Sequence, residues 1–185
     1  MSEYKSVSTA SLIEDGYLCD ARYFMPAEDS LLDADIGQIV EAYKQHGAGK
    51  RAIVFCASVA QANTAASLFV TNGIPAACLS AARPPQEQAA VLAMYRNDNV
   101  TVLTTCSLML EQPFPETEVV ILAKPTRSRS RYFQMVASGL RPNYAAGMPL
   151  DTAEQRRAAI AASRKPQAIV LDLDSNTKRH GMITL

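Results

Sequence analysis

Tryptophan is missing from this chain of 185 residues, and its seven tyrosines and five phenylalanines are scattered. The sequence therefore offers no run of aromatic faces on which successive bases would stack, as dedicated single-strand binders have. Histidine is almost as scarce, at two residues, and the four cysteines (Cys19, Cys56, Cys78 and Cys106) are dispersed with no Cys-x-x-Cys spacing. Neither a metal site nor a disulfide framework is expected, and the thiols read as reduced and structural. No apolar run approaches the roughly 20 residues that span a bilayer, and the polar start Met1-Ser-Glu-Tyr-Lys lacks the apolar stretch of a signal peptide. A cytoplasmic protein without a membrane partner is expected. The net charge is zero, which argues against coating of nucleic acid through bulk charge alone.

Nucleotide chemistry is missing too. There is no Gly-x-x-x-x-Gly-Lys-Ser/Thr phosphate loop, since Gly49-Lys50 is followed by Arg51 and lacks the earlier glycine. No nucleophile, base or metal constellation takes its place. The expectation is a protein with no catalytic residue and no bound cofactor.

What is present is a core. With 48% hydrophobic residues, this length suits one domain with short appendages. Short apolar runs at 50–56, 75–80, 100–105, 119–123 and 167–172 alternate with helical patterns at 35–44, 59–71, 84–96, 129–140 and 152–164. Ser8 to Gly16 reads as a capped helix, and Tyr17 to Pro26 as an extended segment closed by proline. Strands alternating with helices of ten to fifteen residues predict an α/β fold: a single doubly wound domain, its mostly parallel sheet covered by helices on both faces. Residues 1–34 read as an N-terminal extension and 35–185 as the domain.

Charge is unevenly spread. From Lys124 onward there are eleven Lys/Arg against four carboxylates, about +7, while the first 123 residues hold seven against fourteen, about −7. Such asymmetry points to a face that attracts an anion or an acidic partner.

The stretch from Glu118 to Pro142 has a particular order: an apolar strand, a Pro125-Thr126 stop, a turn with Arg127, Arg129 and Arg131, then a helix carrying Gln134 and ending Gly139-Leu140-Arg141-Pro142. It resembles the last conserved motif of superfamily 2 helicases, Gln-x-x-Gly-Arg-x-x-Arg, and the resemblance to their second, RecA-like motor domain runs from about Ser8 to Gly181. In that family the motif's arginines reach ATP held on a partner domain and stabilise developing charge. Gln134 and Arg141 match, whereas Ala137-Ser138 replaces the Gly-Arg pair; the lost finger is worth on the order of 10³-fold in comparable transfers. The wording around Leu12 to Pro26 is similar to the connector between the two motor domains. Asp172, Asn176, His180 and Gly181 match the close of the domain in the RadD-like and phage branch. The Asp-Glu box that holds magnesium belongs to the first motor domain and is not found here.

The resemblance also places two nucleic-acid motifs. Ile53 to Ala62 looks like motif IV, where Ser58 and nearby amides are suited to a phosphate; Ser58 reads equally as the cap of the following helix. Thr105 is in register with the threonine of motif V that contacts nucleic acid. The Gly-x-Asp group that couples strand binding to ATP falls on Glu111-Gln112-Pro113, where proline removes a donor and fixes φ. Gln134 and Arg141 are thus candidates for an ATP interface, although Arg141 also reads as a cap of its own helix. Ser58, Thr105, Arg127, Arg129 and Arg131 are candidates for nucleic-acid contact. Three functions stay open at this point. One is a stand-alone degenerate domain that binds single-stranded DNA, or a partner such as a helicase first domain or a nuclease, which it could inhibit as a mimic. Another is half of an ATPase completed by a separate chain, and the last a folded remnant without a ligand.

Overall fold

The computed structural model describes residues 8–25, 35–106, 114 and 116–183. Its elements run α1 (Thr9–Glu14), β1 (Ala21–Phe24), α2 (Ile36–His46), β2 (Ala52–Cys56), α3 (Val59–Thr71), β3 (Ala76–Leu79), α4 (Pro85–Arg96), β4 (Val102–Thr105), β5 (Val119–Ala123), α5 (Arg129–Leu140), α6 (Ala153–Ala161), β6 (Ala168–Asp172) and α7 (Asn176–His180). The six strands form one sheet in the order β1-β6-β5-β2-β4-β3, and every pairing is parallel.

The strands are parallel because they are apolar on both sides. Every residue of β2, β4 and β5 is buried, which only a sheet covered on both faces allows. One face carries Ile53, Phe55, Leu103, Val120 and Leu122 against Val91 and Tyr95 of α4 and Tyr132, Met135 and Val136 of α5. The other carries Val54, Val102 and Ile121 against Ile39, Val40 and Tyr43 of α2 and Ala62, Ala65, Ala66 and Phe69 of α3. Small alanines on the inner side of α3 let that helix lie close to the sheet.

The expected strand and helix order holds, with three differences. Residues 21–24 of the supposed extension are an edge strand: Ala21 to Phe24 pair with Ala168 to Leu171, so the described part of 1–34 is built into the sheet rather than set apart from it. Helix α6 ends at Ala161, short of the expected 164. Ser163 Oγ donates to the Ile160 carbonyl and accepts from the Lys165 amide, and the residue before Pro166 is pushed out of helical geometry. The polar tail after β6 forms a helix, α7, that the sequence pattern did not suggest. Among the described residues no helix is long and apolar enough to cross a membrane.

Candidate functional site

In an open parallel sheet the ligand crevice lies beyond the carboxyl ends of the strands, where successive connections leave to opposite faces. Here that point falls between β2 and β5. The chain leaves β2 for α3 on one face and leaves β5 for α5 on the other, while Cys56 and Ala123 are paired in register at the two strand ends.

Both helix starts at this edge are capped. Ser58 Oγ accepts from the Gln61 amide at 3.1 Å, and Gln61 Oε1 accepts from the Ala57 amide at 2.6 Å. Ser58 is therefore an N-cap and is also exposed, so its hydroxyl proton and the first amides of α3 face outward at the positive end of the helix dipole. Ser128 caps α5 by accepting from the Arg131 amide at 3.3 Å. Arg127, Arg129 and Arg131 are all exposed around that cap. Lys124, not singled out from the sequence, spans the crevice itself: its Nζ donates to the Cys106 carbonyl at 2.9 Å, crossing from the end of β5 past β2 to the end of β4. Burial pulls the Lys124 pKa below that of an ordinary lysine.

A buried polar clamp holds the arginine turn. Asp172 Oδ2 accepts from the Thr177 amide at 2.5 Å, and Oδ1 accepts from Asn176 Nδ2 at 3.2 Å. Asn176 in turn donates to the Lys124 carbonyl at 3.0 Å and accepts from the Thr126 amide at 2.8 Å. The Thr126 carbonyl accepts from His180 Nε2 at 2.8 Å and from Arg179 at 3.1 Å, so the His180 proton sits on Nε2. Tyr132 stacks on the His180 ring, with centroids 5.2 Å apart, and donates to the Gly181 carbonyl. His180 is a structural residue here. The one signal in the sequence was spacing: Asp172, Asn176 and His180 are four apart, which places the last two on one helical face.

The two sheet edges differ in how their cations are satisfied. At the amino edge, Lys50 pairs with Glu118 at 3.1 Å and Arg51 with Asp98 at 2.6 Å, and buried Lys165 donates to the Thr117 carbonyl at 2.7 Å. At the carboxyl edge, Arg127, Arg129 and Arg131 form no ion pair among the described residues.

The sequence candidates divide accordingly. Ser58, Thr105, Arg127, Arg129 and Arg131 do gather at one edge. Thr105 is wholly buried at the end of β4, whereas Ser58 and the three arginines are exposed. Gln134 and Arg141 lie elsewhere. They are exposed on the outer side of α5, and at about 1.5 Å per residue Arg141 stands roughly 18 Å along the helix from Arg129, at the amino edge, where the neighbouring Leu140 carbonyl accepts from the Cys19 amide. Arg141 occupies the C-cap position of α5. Between them, Ser138 turns its hydroxyl back to the Met135 carbonyl at 2.6 Å, so nothing cationic projects where the resemblance places an arginine. The triplet Glu111-Gln112-Pro113 lies outside the described residues. No group of three or more metal-ligating side chains is found among the described residues.

Comparison with known proteins agrees with this architecture. The helicase conserved C-terminal domain matches residues 34–142. A 51.5 kDa protein of a Lactococcus phage is 30% identical over 115 residues, which is 62% of this chain and 25% of the phage protein. The putative ATP-dependent helicase IRC3 of Saccharomyces cerevisiae is 23% identical over 155 residues, 70% of this chain and 22% of that protein. The chain thus spans about a quarter of the length of these relatives. In fold it is similar to a fragment of a putative HsdR subunit of a type I restriction enzyme from Vibrio vulnificus, with a TM-score of 0.69 at 18% identity, covering 95% of this chain and 36% of that one. It is also similar to the C-terminal domain of S. cerevisiae Dbp5 bound to Gle1 and IP6, with a TM-score of 0.59 at 18% identity, covering 88% of this chain and 80% of that one. A six-stranded parallel sheet in this order, together with a family match over more than half of the residues, identifies the chain as a member of the helicase conserved C-terminal domain family.

Proposed function

We propose that this domain works by binding the phosphate backbone of a single-stranded nucleic acid across the carboxyl edge of its sheet, and that it does not hydrolyse ATP by itself. The observation that carries this reading is the set of Arg127, Arg129 and Arg131, exposed and without carboxylate partners among the described residues, on a turn that a buried clamp holds beside the capped start of α3. Guanidinium groups at helix N-termini suit phosphate. No aromatic platform accompanies them, so the contact is to backbone and tolerant of sequence.

The test is fluorescence anisotropy of a labelled oligonucleotide at two ionic strengths. Neutralising about three phosphates of a single strand gives a log–log salt slope near −2, so affinity falls roughly twentyfold between about 50 and 200 mM salt. Replacing Arg127, Arg129 and Arg131 together by alanine is expected to remove most of that salt dependence. Absence of binding at low salt, or a triple variant that binds like the parent, overturns the reading.

A second reading is favoured by Gln134 and Arg141, both exposed on α5 and without ionic partners among the described residues. The outer face of α5 docks against a first motor domain, supplied by another chain or segment, and Arg141 there meets the phosphates of ATP. The Ala137-Ser138 pair makes any such ATPase slow. The check is ATP hydrolysis on mixing with a first motor domain: activity that appears only in the mixture and falls with Arg141→Ala supports it, and activity indifferent to Arg141 removes it.

A further inference from the structure

Three of the four cysteines lie near the carboxyl edge, and strand register singles out one pair. Strands β2 and β4 are parallel neighbours in which Phe55 pairs with Thr105, so Cys56 and Cys106 are the next residues in step. Neighbouring strands lie about 4.8 Å apart, inside the roughly 4.4–6.8 Å between α-carbons that a disulfide spans. The side chains also share a face. Ala52, Val54 and Cys56 belong to the core beneath α2 and α3, while Thr104 Oγ1 donates to the Ala62 carbonyl of α3, so alternation puts Cys106 on that face as well. Other pairs are out of reach: β4 lies between the strands of Cys56 and Cys78, which sets those strands roughly 10 Å apart. Cys78 pairs with Thr104, two residues from the level of Cys106, which makes the diagonal about 8 Å. Cys19 donates to the Leu140 carbonyl at the opposite edge.

The two thiols differ in access. Cys56 is wholly buried, and Cys106 is half-buried just past the last ladder residue of β4. The Lys124 ammonium is bonded to the Cys106 carbonyl at 2.9 Å, which places a positive charge beside this residue.

We propose that Cys106 and Cys56 are a redox modification site, which a hydroperoxide converts into an intramolecular disulfide between β2 and β4. The Cys106 thiolate attacks the peroxide oxygen; the O–O bond breaks, and the Cys106 sulfenic acid and an alcohol or water form. The Cys56 sulfur then displaces the sulfenic oxygen, giving the S–S bond and water. Overall two thiols are oxidised and one peroxide is reduced. The inference stands apart from the nucleic-acid reading, because its readout is sulfur chemistry alone.

The experiment treats the reduced protein with one equivalent of hydrogen peroxide, blocks remaining thiols with N-ethylmaleimide and measures intact mass and linked peptides. The expected product is a monomer lacking two hydrogens, with two of the four thiols protected and a Cys56–Cys106 linkage that dithiothreitol reverses. The bridge is expected to form unchanged in Cys78→Ala, which also separates Cys56 from Cys78 in peptide mapping. Cys106→Ser is expected to lose the oxidation, and Cys56→Ala to stop at a Cys106 sulfenic acid that dimedone traps. A different linkage, a disulfide between molecules, or sulfinic acid at Cys106 without a bridge overturns the proposal. So does a full complement of free thiols in the wild-type protein.

Discussion

Lys165 shows what burial does to a single charge. It is 1% exposed, donates to the Thr117 carbonyl, and burial lowers its pKa from 10.5 to about 8, against smaller opposing effects of Cys19, Glu118 and Glu116. The unfolded chain therefore binds the lysine proton more tightly between about pH 8 and 10.5, and this group adds stability as pH rises through that window. The full difference is on the order of 3 kcal/mol. Cys19 works in the opposite direction, because burial raises its pKa, so the effect is read as a difference between proteins. Urea unfolding at pH 7.5 and 9.5 is expected to show wild type gaining on Lys165→Met at the higher pH; parallel profiles would contradict the assignment. Neither Lys165 nor Lys124 was legible as special in the sequence. Their burial depends on strands far away in the chain, whereas Ser58 and the arginines of the turn were legible because caps and turns are local. The burial of Thr105 was hidden for the same reason: register located it at the strand end, but burial is set by what packs around it.

The helices and strands were more legible than the individual side chains. Fully apolar strands bounded by turn residues, and caps such as Ser8, Ser58 and Thr152, are written in consecutive residues, and those elements lie close to where the periodicity puts them. Helix α7 was hidden because Asp172, outside the helix, accepts the amide of Thr177 within it. Two predictions concern how such elements meet. At Gly139 in α5, an added Cβ would lie 2.6 Å from Val120 Cγ2, a stiff side chain on β5. Gly139→Ala is expected to cost about 1–3 kcal/mol by overpacking, despite the roughly 1 kcal/mol that alanine gains in helix propensity. Adding Val120→Ala should bring the helix cost back down, visible as strong non-additivity in a double-mutant cycle. At the clamp, Asn176→Ala strands the Thr126 amide and the Lys124 carbonyl, and is expected to cost about 2–4 kcal/mol. Because the arginine turn loses its anchor, salt-sensitive oligonucleotide binding should weaken as well. A variant that is destabilised yet binds normally would show that the clamp serves the fold alone.

Taken together, the domain is neutral, with its positive charge concentrated after Lys124. On the proposed reading, attraction to nucleic acid is a property of one edge and not of the net charge, and raising salt should weaken binding far more than it changes stability. Thermal unfolding at about 50 and 200 mM salt should differ little while affinity drops steeply. Equal sensitivity of both would mean that the carboxyl-edge arginines serve the fold instead. One pairing has a mechanical consequence. The first strand, β1, lies parallel to the last, β6, and the Tyr23 hydroxyl both accepts from the Ile183 amide and donates to the Ile183 carbonyl. Tension applied through the two ends of the described chain pulls these strands in opposite directions along their length. All the rungs between them are then loaded together in shear rather than opened one by one, and the sheet can pass a pulling force from one end of the chain to the other without unravelling.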